Sequence, residues 1–283
     1  MNYSHNIHLL EQLLPFILEL RGKTVVIKYG GAAMINQRLT ARVTKEIALL
    51  AHFGIKVIVV HGGGPFINDW LKKFQIDPSF QDGIRVTDPL TMDVVQMVLA
   101  GKVNKDLVAL ISKEKIKALG ISGKDANILL ADPLCTSPSN RVANVKKVDV
   151  ELLTLLTAHR YIPVIAPIAS DSDGLSYNVN ADIAAAEIAS AVDAESLLLL
   201  TDTPGIFINP DNASNAVESL TVDQTANLID KGIISGGMLP KVSSCISALS
   251  RGVNSAYIID GRMSYSILLT LLTNATIGTC IVR

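Results

Sequence analysis

Short continuous apolar runs alternate with helical patterns along the chain, and this alternation constrains the fold more than any other feature of the sequence. In residues 57–60 and 197–200 every side chain is apolar, so both faces of a strand formed there need cover. Parallel sheets with helices on both faces meet this need, because their strands are buried on both sides. The order of elements therefore predicts an α/β fold, a three-layer αβα sandwich with a central, mainly parallel sheet.

The same pattern predicts the individual elements. Strands are expected at residues 24–28, 56–60, 161–168, 196–201 and 256–259. Helices are expected at residues 40–53, 89–113, 148–159, 181–191, 221–230, 241–251 and 264–272. Asp88 is a suitable N-cap, with Pro89 at the first helical position, for the second of these helices, and Pro65 suits the first turn of a further one.

The composition excludes several classes of protein. Hydrophobic residues make up 49% of the 283 residues and charged residues only 18%, which excludes an intrinsically disordered chain. No apolar run approaches the ~20 residues that a membrane-spanning helix needs. The 25 basic and 26 acidic side chains give a net charge of −1. This balance argues against a nucleic-acid partner, because such proteins gain affinity largely by neutralising phosphates.

The N-terminus and the cysteines bear on the compartment. No Lys or Arg precedes Arg21, and acidic residues interrupt the early apolar stretch, unlike a secretory signal or an Arg-rich transit peptide. Cys135, Cys245 and Cys280 are odd in number and scattered, which indicates reduced packing residues. We therefore expect a cytoplasmic protein, or one of the plastid stroma if the chain is encoded in that organelle.

A helix is also expected within residues 1–20. Its apolar side chains recur at helical spacing, at Leu9, Leu10, Leu13, Leu14, Ile17 and Leu18. Pro15 falls inside this pattern and should kink the helix. The apolar face has two equally good interpretations: it docks on the core of its own chain, or it packs on a neighbouring subunit.

Two glycine clusters directly follow predicted strands. They are Gly30-Gly31 and Gly62-Gly63-Gly64. Each alone is most simply a tight turn, but two clusters at successive strand ends of one sheet indicate a phosphate site. Glycine lets backbone N–H groups approach a phosphate without a side chain in the way, and ligands of such sheets bind at the carboxyl ends of the strands. The sequence has neither a G-x-G-x-x-G nor a G-x-x-x-x-G-K-[ST] segment, so neither of those nucleotide folds is expected.

Charged residues accompany these strand ends and helix starts. Lys28 ends an apolar strand, and because lysines are rarely buried unpaired, it is expected to point into a site. Lys241 follows a glycine pair, and Asp182 begins a helix. Taken alone, these two would be a solvated side chain and a carboxylate that stabilises a helix N-terminus. Asn178, taken alone, would be a turn residue.

These residues lie in segments that resemble the acylglutamate kinases of the amino-acid kinase family. The segments are V-I-K-Y-G-G-A-A-M from residue 26, H-G-G-G-P from residue 61, G-I-R-V-T from residue 83, N-V-N-A-D from residue 178 and G-M-L-P-K-V from residue 237. The third and fourth are the ones specific to acylglutamate kinases. The resemblance implies an amino-acid kinase (carbamate kinase-like) fold. It also implies an oligomerisation helix at residues 1–20, an N-lobe at 21–190 for the acyl-glutamate and a C-lobe at 191–283 for the nucleotide.

The resemblance further implies ATP-dependent phosphorylation of the side-chain carboxylate of N-acetyl-L-glutamate, the second step of arginine biosynthesis. By the family pattern, Lys28 and Lys241 stabilise the transferred phosphoryl group, and Asp182 holds both lysines in place. Arg85 and Asn178 grip the α-carboxylate of the substrate. Gly63 and Gly64 would contact the acyl-glutamate. The phosphoryl group would be bound by Gly30, Gly31 and Gly62.

The nucleotide is expected on the C-terminal part of the sheet. Its predicted contacts are Asp202, Gly205, Ile233, Ser235 and Gly236. Mg²⁺ would enter with ATP, because it normally binds through substrate phosphates with few protein ligands. No separate metal site in the protein is therefore expected.

The N-terminal helix also resembles the extension of arginine-inhibited members, in which it links dimers into a hexameric ring. A hexamer is therefore favoured over a dimer. Feedback inhibition by arginine has weaker support, because Tyr257 and Thr270 stand where arginine-sensitive members have His and Glu. A signalling protein of the PII type is a further possible partner.

Two rival functions stay open at this point. The nearest is a kinase of the same family that acts on aspartate, glutamate, carbamate or UMP. The segments around Arg85 and Asn178 argue against it. The other is a non-catalytic arginine-sensing module, against which the presence of all the charged site residues argues.

Overall fold

A computed structural model of the chain describes residues 3–81, 84–135, 137, 139–208, 216–275 and 277–283. Gly83, which the G-I-R-V-T segment includes, lies outside these residues. The helices are α1 (Tyr3–Leu20), α2 (Gln37–His52), α3 (Gly64–Lys73), α4 (Pro89–Gln96), α5 (Asn104–Lys113), α6 (Glu151–Ala158), α7 (Ala181–Ala191), α8 (Val222–Asp230), α9 (Leu239–Ser250) and α10 (Ser266–Leu272).

The strands are β1 (Thr24–Tyr29), β2 (Lys56–His61), β3 (Phe80–Gln81), β4 (Ile84–Arg85), β5 (Lys117–Ser122), β6 (Leu129–Pro133), β7 (Ala143–Val148), β8 (Tyr161–Ala166), β9 (Ile168–Ser170), β10 (Ser176–Asn178), β11 (Ser196–Thr201), β12 (Ser219–Thr221), β13 (Ser255–Asp260) and β14 (Thr279–Val282). Every strand that the sequence predicted is present within a residue or two, apart from the one over residues 161–168.

One eight-stranded sheet forms the centre of the molecule, in the order β12-β14-β13-β11-β1-β2-β8-β5. Neighbouring strands are parallel, except β13 and β14, which are antiparallel. In β1, Lys28 lies opposite Val60 of β2 and Leu199 of β11. The sheet confirms the predicted mainly parallel α/β fold. It is continuous across the predicted boundary between the two lobes, and that division stays a prediction.

Helices cover both faces of this sheet, because successive side chains of a strand point to opposite faces. Val25 and Ile27 of β1 pack with α2, α3, α4, α5 and α10 on one face. Val26 packs with α6, α7, α8 and α9 on the other. The apolar runs are therefore buried on both sides, as the sequence pattern requires.

Side-chain caps begin two of the helices near the carboxyl ends of the strands, α4 and α7. The carboxylate of Asp88 accepts a hydrogen bond from the N–H of Thr91 at 2.7 Å, and Pro89 is the first residue of α4, as predicted. Asn180 caps α7 by accepting from the N–H of Asp182 at 2.7 Å. The helix predicted over residues 89–113 is helical throughout, but Met97–Val103 winds as a π-helix between α4 and α5.

Two predicted boundaries in the middle of the chain are wrong. The helix predicted from residue 148 begins at Glu151, because Val148 is the last residue of β7. The strand predicted over residues 161–168 is divided at Pro167 into β8 and β9, since proline has no N–H to donate to a strand ladder. A second sheet, in the order β10-β9-β6-β7, was not predicted at all.

The N-terminal helix α1 presents apolar side chains on two sides. Leu13, Phe16 and Ile17 pack against the core of the chain, which agrees with the first of the two interpretations above. Leu10 and Leu18 are more than half exposed on the other side, so packing on a second subunit stays a prediction. The helix continues through Pro15.

The structure also bears on two predictions from the composition. No helix in the described part of the chain has the length and apolarity to cross a membrane. Cys245 is buried and Cys280 half-buried, which agrees with a packing role, but Cys135 is exposed and the packing interpretation is wrong for it.

A buried carboxylate joins two helices of one layer. Glu46, in the middle of α2, accepts hydrogen bonds from the N–H groups of Tyr265 and Ile267 at 3.0 Å and of Leu268 at 3.3 Å. These N–H groups belong to the start of α10, where no acceptor exists within the helix. Burial raises the pKa of Glu46, and the three hydrogen bonds oppose that shift.

We expect the substitution Glu46→Ala to lower the free energy of unfolding by about 3 kcal/mol, because it leaves buried N–H groups without an acceptor. Urea denaturation of the two proteins measures this difference. Glu187→Ala is the matched control: Glu187 pairs with Arg251 at the surface, and its loss should cost less than about 1 kcal/mol. Equal losses in the two variants would contradict the capping role.

Candidate active site

A cavity of about 280 Å³ lies at the carboxyl ends of β1 and β2. Eight of the residues predicted for the substrate and phosphoryl sites line it: Lys28, Gly31, Gly62, Gly63, Gly64, Arg85, Asn178 and Asp182. They come from segments that are far apart in the sequence. The fold brings them together because parallel strands have their carboxyl ends at the same edge of the sheet. Gly30 and Lys241 contact this set without lining the cavity.

Asp182 lies between the two predicted lysines. Its Oδ1 atom is 2.9 Å from the Nζ of Lys28, and its Oδ2 atom accepts a hydrogen bond from the Nζ of Lys241 at 2.8 Å. Lys28 and Asp182 are 7% and 4% exposed, so these charges are nearly withdrawn from water. One carboxylate faces two ammonium groups, and the group of three therefore carries a net positive charge beside the cavity.

The charge state of Asp182 follows from these contacts. Burial by itself would raise the pKa of its carboxyl, since it penalises the charged form. The ammonium groups of Lys28 and Lys241 outweigh burial and hold the pKa below its ordinary value. Asp182 is therefore ionised at neutral pH, and it satisfies both lysines at once.

Glycine at position 30 makes room for the Lys28 side chain. A Cβ atom on Gly30 would lie 3.0 Å from the Nζ and 3.2 Å from the Cε of Lys28. The Cα atom of Gly62 is 3.6 Å from the same point. The two glycine clusters thus allow the ends of β1 and β2 to approach each other under the lysine.

The N-terminus of α3 lies at the same cavity. Gly64 is the first residue of α3 and Gly63 its N-cap, and both line the cavity. N–H groups in a first helical turn have no acceptor within the helix, and they attract anions. The N–H of Gly62, by contrast, donates to the carbonyl of Tyr29 at 2.8 Å, so Gly62 has no N–H left to offer a phosphate.

Arg85 is a further cation that lines the cavity. One of its terminal nitrogens, Nη2, donates to Oδ1 of Asn68 at 2.5 Å and to the carbonyl of Gly64 at 3.4 Å. Its guanidinium lies 4.7 Å from the ring centre of Phe80. The other nitrogen, Nη1, is buried and has no partner among the described residues. Burial lowers the pKa of Arg85, and a carboxylate ligand would supply the missing partner.

Asn178 is linked to Arg85 through one hydroxyl. Its Nδ2 donates to Oγ1 of Thr87 at 3.2 Å, and that hydroxyl donates to the carbonyl of Arg85 at 3.0 Å. Asn178 is the last residue of β10, while Arg85 and Thr87 come from the segment around β4. Two distant segments thus fix one polar wall of the cavity.

A second cavity, of about 320 Å³, lies in the C-terminal part of the sheet. Among the predicted nucleotide contacts, Gly205, Ile233 and Ser235 line it, whereas Asp202 and Gly236 do not. Its other walls include Phe207 and Met238, which the sequence did not single out, because apolar contacts leave no motif. The hydroxyl of Thr203 also lines this cavity, buried and without a partner in the part of the chain described.

Two residues that hold Arg85 at the first cavity were missed from the sequence. Asn68 and Phe80 hold the guanidinium of Arg85 by a hydrogen bond and by a ring contact. Asn68 lies one turn into α3, after the glycine cluster, and that position is the only signal the sequence offers. Among the described residues, no three His, Cys, Asp or Glu side chains form a group that could hold a metal ion.

His61, which precedes the glycine loop, is fully buried behind it. Burial lowers its pKa from the ordinary value of 6.5 to about 4, and the positive charge of Lys105 acts in the same direction, while a hydrogen bond to the carbonyl of Gly62 opposes both. The ring is therefore neutral at neutral pH.

This pKa implies a pH-dependent stability. Between pH 6.5 and about 4 the unfolded chain binds a proton at His61 that the folded chain does not bind, so stability falls as the pH drops through this range. The loss from this residue should reach about 3 kcal/mol. Urea denaturation across the range should show a steeper loss for the wild-type chain than for His61→Asn. Parallel curves would contradict a buried neutral histidine.

Comparison with known proteins gives the family context. Residues 23–260 match the model of the amino acid kinase family. Acetylglutamate kinase of Prochlorococcus marinus (strain MIT 9312) is 46% identical over 282 residues and is covered completely, as is this chain. Acetylglutamate kinase of Gracilaria tenuistipitata var. liui is 46% identical over 283 residues, and the match covers 100% of this chain and 99% of that kinase.

Solved structures share the fold. N-acetylglutamate synthase from Neisseria gonorrhoeae, complexed with coenzyme A and N-acetyl-glutamate, superposes with a TM-score of 0.85 at 25% identity, over 100% of this chain and 64% of the synthase. Carbamate kinase from Giardia lamblia bound to AMP-PNP superposes with a TM-score of 0.68 at 18% identity, over 93% of this chain and 99% of that one. The second likeness bears on the fold alone.

Proposed function

The chain belongs to the amino acid kinase family, and from this membership we propose that it transfers the γ-phosphoryl group of ATP to the side-chain carboxylate of N-acetyl-L-glutamate. Its relatives of 46% identity over the full length are acetylglutamate kinases. The product is N-acetyl-L-glutamyl 5-phosphate, and the reaction is the second step of arginine biosynthesis.

The observation that carries this proposal is the group of Lys28, Asp182 and Lys241 beside a cavity that Arg85 also lines. Both substrates are anions, and their mutual repulsion is the main barrier to their meeting. Phosphoryl transfer is catalysed mainly by positioning and by stabilising charge on the transferred group. The two lysines supply that charge, and Asp182 fixes where their ammonium groups stand.

The chemistry needs no general base. The acceptor carboxylate is already ionised at neutral pH and is itself the nucleophile. One of its oxygens forms a bond to the γ-phosphorus while the bond from that phosphorus to the bridging oxygen of ADP breaks. The lysines stabilise the transferred group and the leaving oxygen, and the N–H groups of Gly63 and Gly64 face the same negative charge. Gly30, Gly31 and Gly62 shape the loop backbone around it.

The acceptor is oriented by its other carboxylate. The free Nη1 atom of Arg85 and the side chain of Asn178 are the proposed partners of the α-carboxylate. Asn68 and Phe80 hold the guanidinium in place. A partner for an α-carboxylate supports an amino-acid acceptor over carbamate or UMP. The acetylglutamate kinases at 46% identity support acyl-glutamate over aspartate or glutamate, and a substrate panel tests that choice.

The nucleotide is proposed to occupy the second cavity, along Gly205, Ile233 and Ser235, with Asp202 and Gly236 at its rim. Among the described residues that line the first cavity, Asp182 alone carries a carboxylate, and both its oxygens are engaged by lysines. This donor set fits a Mg²⁺ ion held by phosphate oxygens of the nucleotide. Such an ion supplies charge neutralisation on the phosphates when bound.

We also propose a hexamer linked by the N-terminal helix, with arginine as a weak feedback inhibitor. The exposed Leu10 and Leu18 on α1 support the first part. A cavity of about 190 Å³ that includes Glu19, Tyr257 and Thr270 supports the second. Sedimentation tests the hexamer, which a dimer would contradict. A titration of activity with arginine tests the inhibition.

Binding of a PII-type protein, and a cytoplasmic or plastid location, stay predictions.

The first prediction from this proposal concerns the lysines. Lys28→Arg and Lys241→Arg should lower kcat by about 100-fold or more and change the KM values little, because a guanidinium does not reproduce a point charge in a tight site. Asp182→Asn should be equally impaired, since both lysines lose their partner. An ADP-release assay with and without N-acetylglutamate measures this. Lys102→Arg, on an exposed helix surface, is the control, and near wild-type kcat in Lys28→Arg and Lys241→Arg would refute the assignment.

The second prediction concerns acceptor binding. Arg85→Lys should raise the KM for N-acetylglutamate by about 10- to 100-fold, because a single ammonium replaces a charged fork. The KM for ATP should stay within about threefold of wild type. Arg251→Lys, at a surface ion pair with Glu187, is the matched control. An effect confined to the ATP side would count against this role.

A further inference from the structure

Two buried polar residues directly behind the glycine loop have no part in the mechanism above. His61 is the last residue of β2 and Asn104 is the first residue of α5, just after the π-helix. His61 is 0% and Asn104 1% exposed. Buried polar groups cost stability unless they are hydrogen-bonded, so their partners indicate what they do.

The amide of Asn104 has a fixed orientation. Its Nδ2 donates to the carbonyl of Val164 at 2.8 Å and of Ile121 at 3.2 Å. Carbonyl oxygens accept only, so the amide cannot be turned around without placing oxygen against oxygen. Its Oδ1 accepts from Lys105 at 3.2 Å on the other side, where a Cβ atom on Gly120 would lie 1.9 Å from it.

This orientation determines which nitrogen of His61 carries the proton. The same Nδ2 of Asn104 lies 3.1 Å from Nε2 of His61. Nδ2 has two hydrogens for these three acceptors, so one N–H is shared between Nε2 and the carbonyl of Ile121. A proton on Nε2 would face an N–H group, so Nε2 accepts and the proton of the neutral ring resides on Nδ1. Nδ1 is 2.8 Å from the carbonyl oxygen of Gly62 and donates to it.

The bond to Gly62 fixes the peptide that follows. In a trans peptide the carbonyl oxygen and the next N–H point in opposite directions. His61 is buried and does not line the cavity, so the Gly62 carbonyl points away from the cavity and the N–H of Gly63 points toward it. A turned peptide would present a carbonyl oxygen to the anionic substrates instead.

We propose that His61 and Asn104 are positioning residues for phosphoryl transfer, which hold the Gly62–Gly63 peptide with its N–H directed at the transferred group. The inference rests on the proposed function for the identity of the anion. The chain of contacts runs from the main chain of β5 and β8, through Asn104 and His61, to the loop. The π-helix packs closely against the same peptide. A Cβ atom on residue 63 would lie 2.5 Å from Leu99 of the π-helix, so glycine is needed there.

Two substitutions distinguish the roles of the two ring nitrogens of His61. His61→Asn keeps an N–H near the Nδ1 position and loses the contact with Asn104. His61→Gln keeps a polar group near the Nε2 position and loses the donor to Gly62. We expect kcat within about threefold of wild type for His61→Asn and about 10- to 100-fold lower for His61→Gln, with both KM values nearly unchanged.

The control separates this effect from a general loss of stability. Each variant loses one buried hydrogen bond, so a merely structural role predicts similar thermal stability and similar kcat for the two. Thr44→Val also removes a buried hydroxyl hydrogen bond, within α2 and away from the cavity, and should leave kcat unchanged. Equal kcat for His61→Asn and His61→Gln would overturn the proposal.

A measurement on the wild-type chain avoids dependence on folding of the variants. In ¹⁵N-histidine-labelled protein, the ring nitrogen shifts should show His61 protonated at Nδ1 and not at Nε2 at neutral pH. A proton on Nε2 would overturn the proposal whatever the activity. If wild type releases no ADP with N-acetylglutamate, the proposed function fails, whereas normal turnover with unaffected His61→Gln refutes only this inference.

Discussion

The ion contacts of Asp182 are the constraint on which the rest of the site depends. A buried carboxylate with two ammonium partners is stable only as a complete set, because removing one partner leaves an uncompensated buried charge. The set draws on three elements: Lys28 on β1, Asp182 in the first turn of α7 and Lys241 in the first turn of α9. Helix α7 packs against both β1 and α9, so the order of strands and helices places the charges.

Much of this arrangement could be predicted from the sequence, for identifiable reasons. A strand buried on both faces has to be apolar throughout, so β1, β2 and β11 were visible as uninterrupted runs. Asp88 and Pro89 marked the start of α4 because capping depends on local residues. Parallel strands end at one edge, so Lys28 and both glycine clusters were expected together, and the family resemblance added Arg85, Asn178 and Asp182.

The missing parts depend on tertiary contacts that no local pattern encodes. Strand β7 reads A-N-V-K-K-V and alternates only loosely between buried and exposed, and it is a strand because β6 pairs with it. The partners of Arg85 also have no recognisable sequence pattern. Asn68 and Phe80 are ordinary residues in sequence, and only the fold brings the first within 2.5 Å of the guanidinium and the second beneath it.

The net charge of −1 says little about a site built in this way. Helices α3, α7 and α9 begin beside the site at Gly64, Ala181 and Leu239, and each helix N-terminus carries a partial positive charge from the backbone. The first turn of α7 carries Asp182, and the two positive charges of Lys28 and Lys241 exceed its one negative charge. The attraction for anionic substrates therefore comes from backbone dipoles and from three cations, Lys28, Lys241 and Arg85, that outnumber the one carboxylate beside them. Both are fixed by topology, which is why a composition close to neutral is compatible with two strongly anionic ligands.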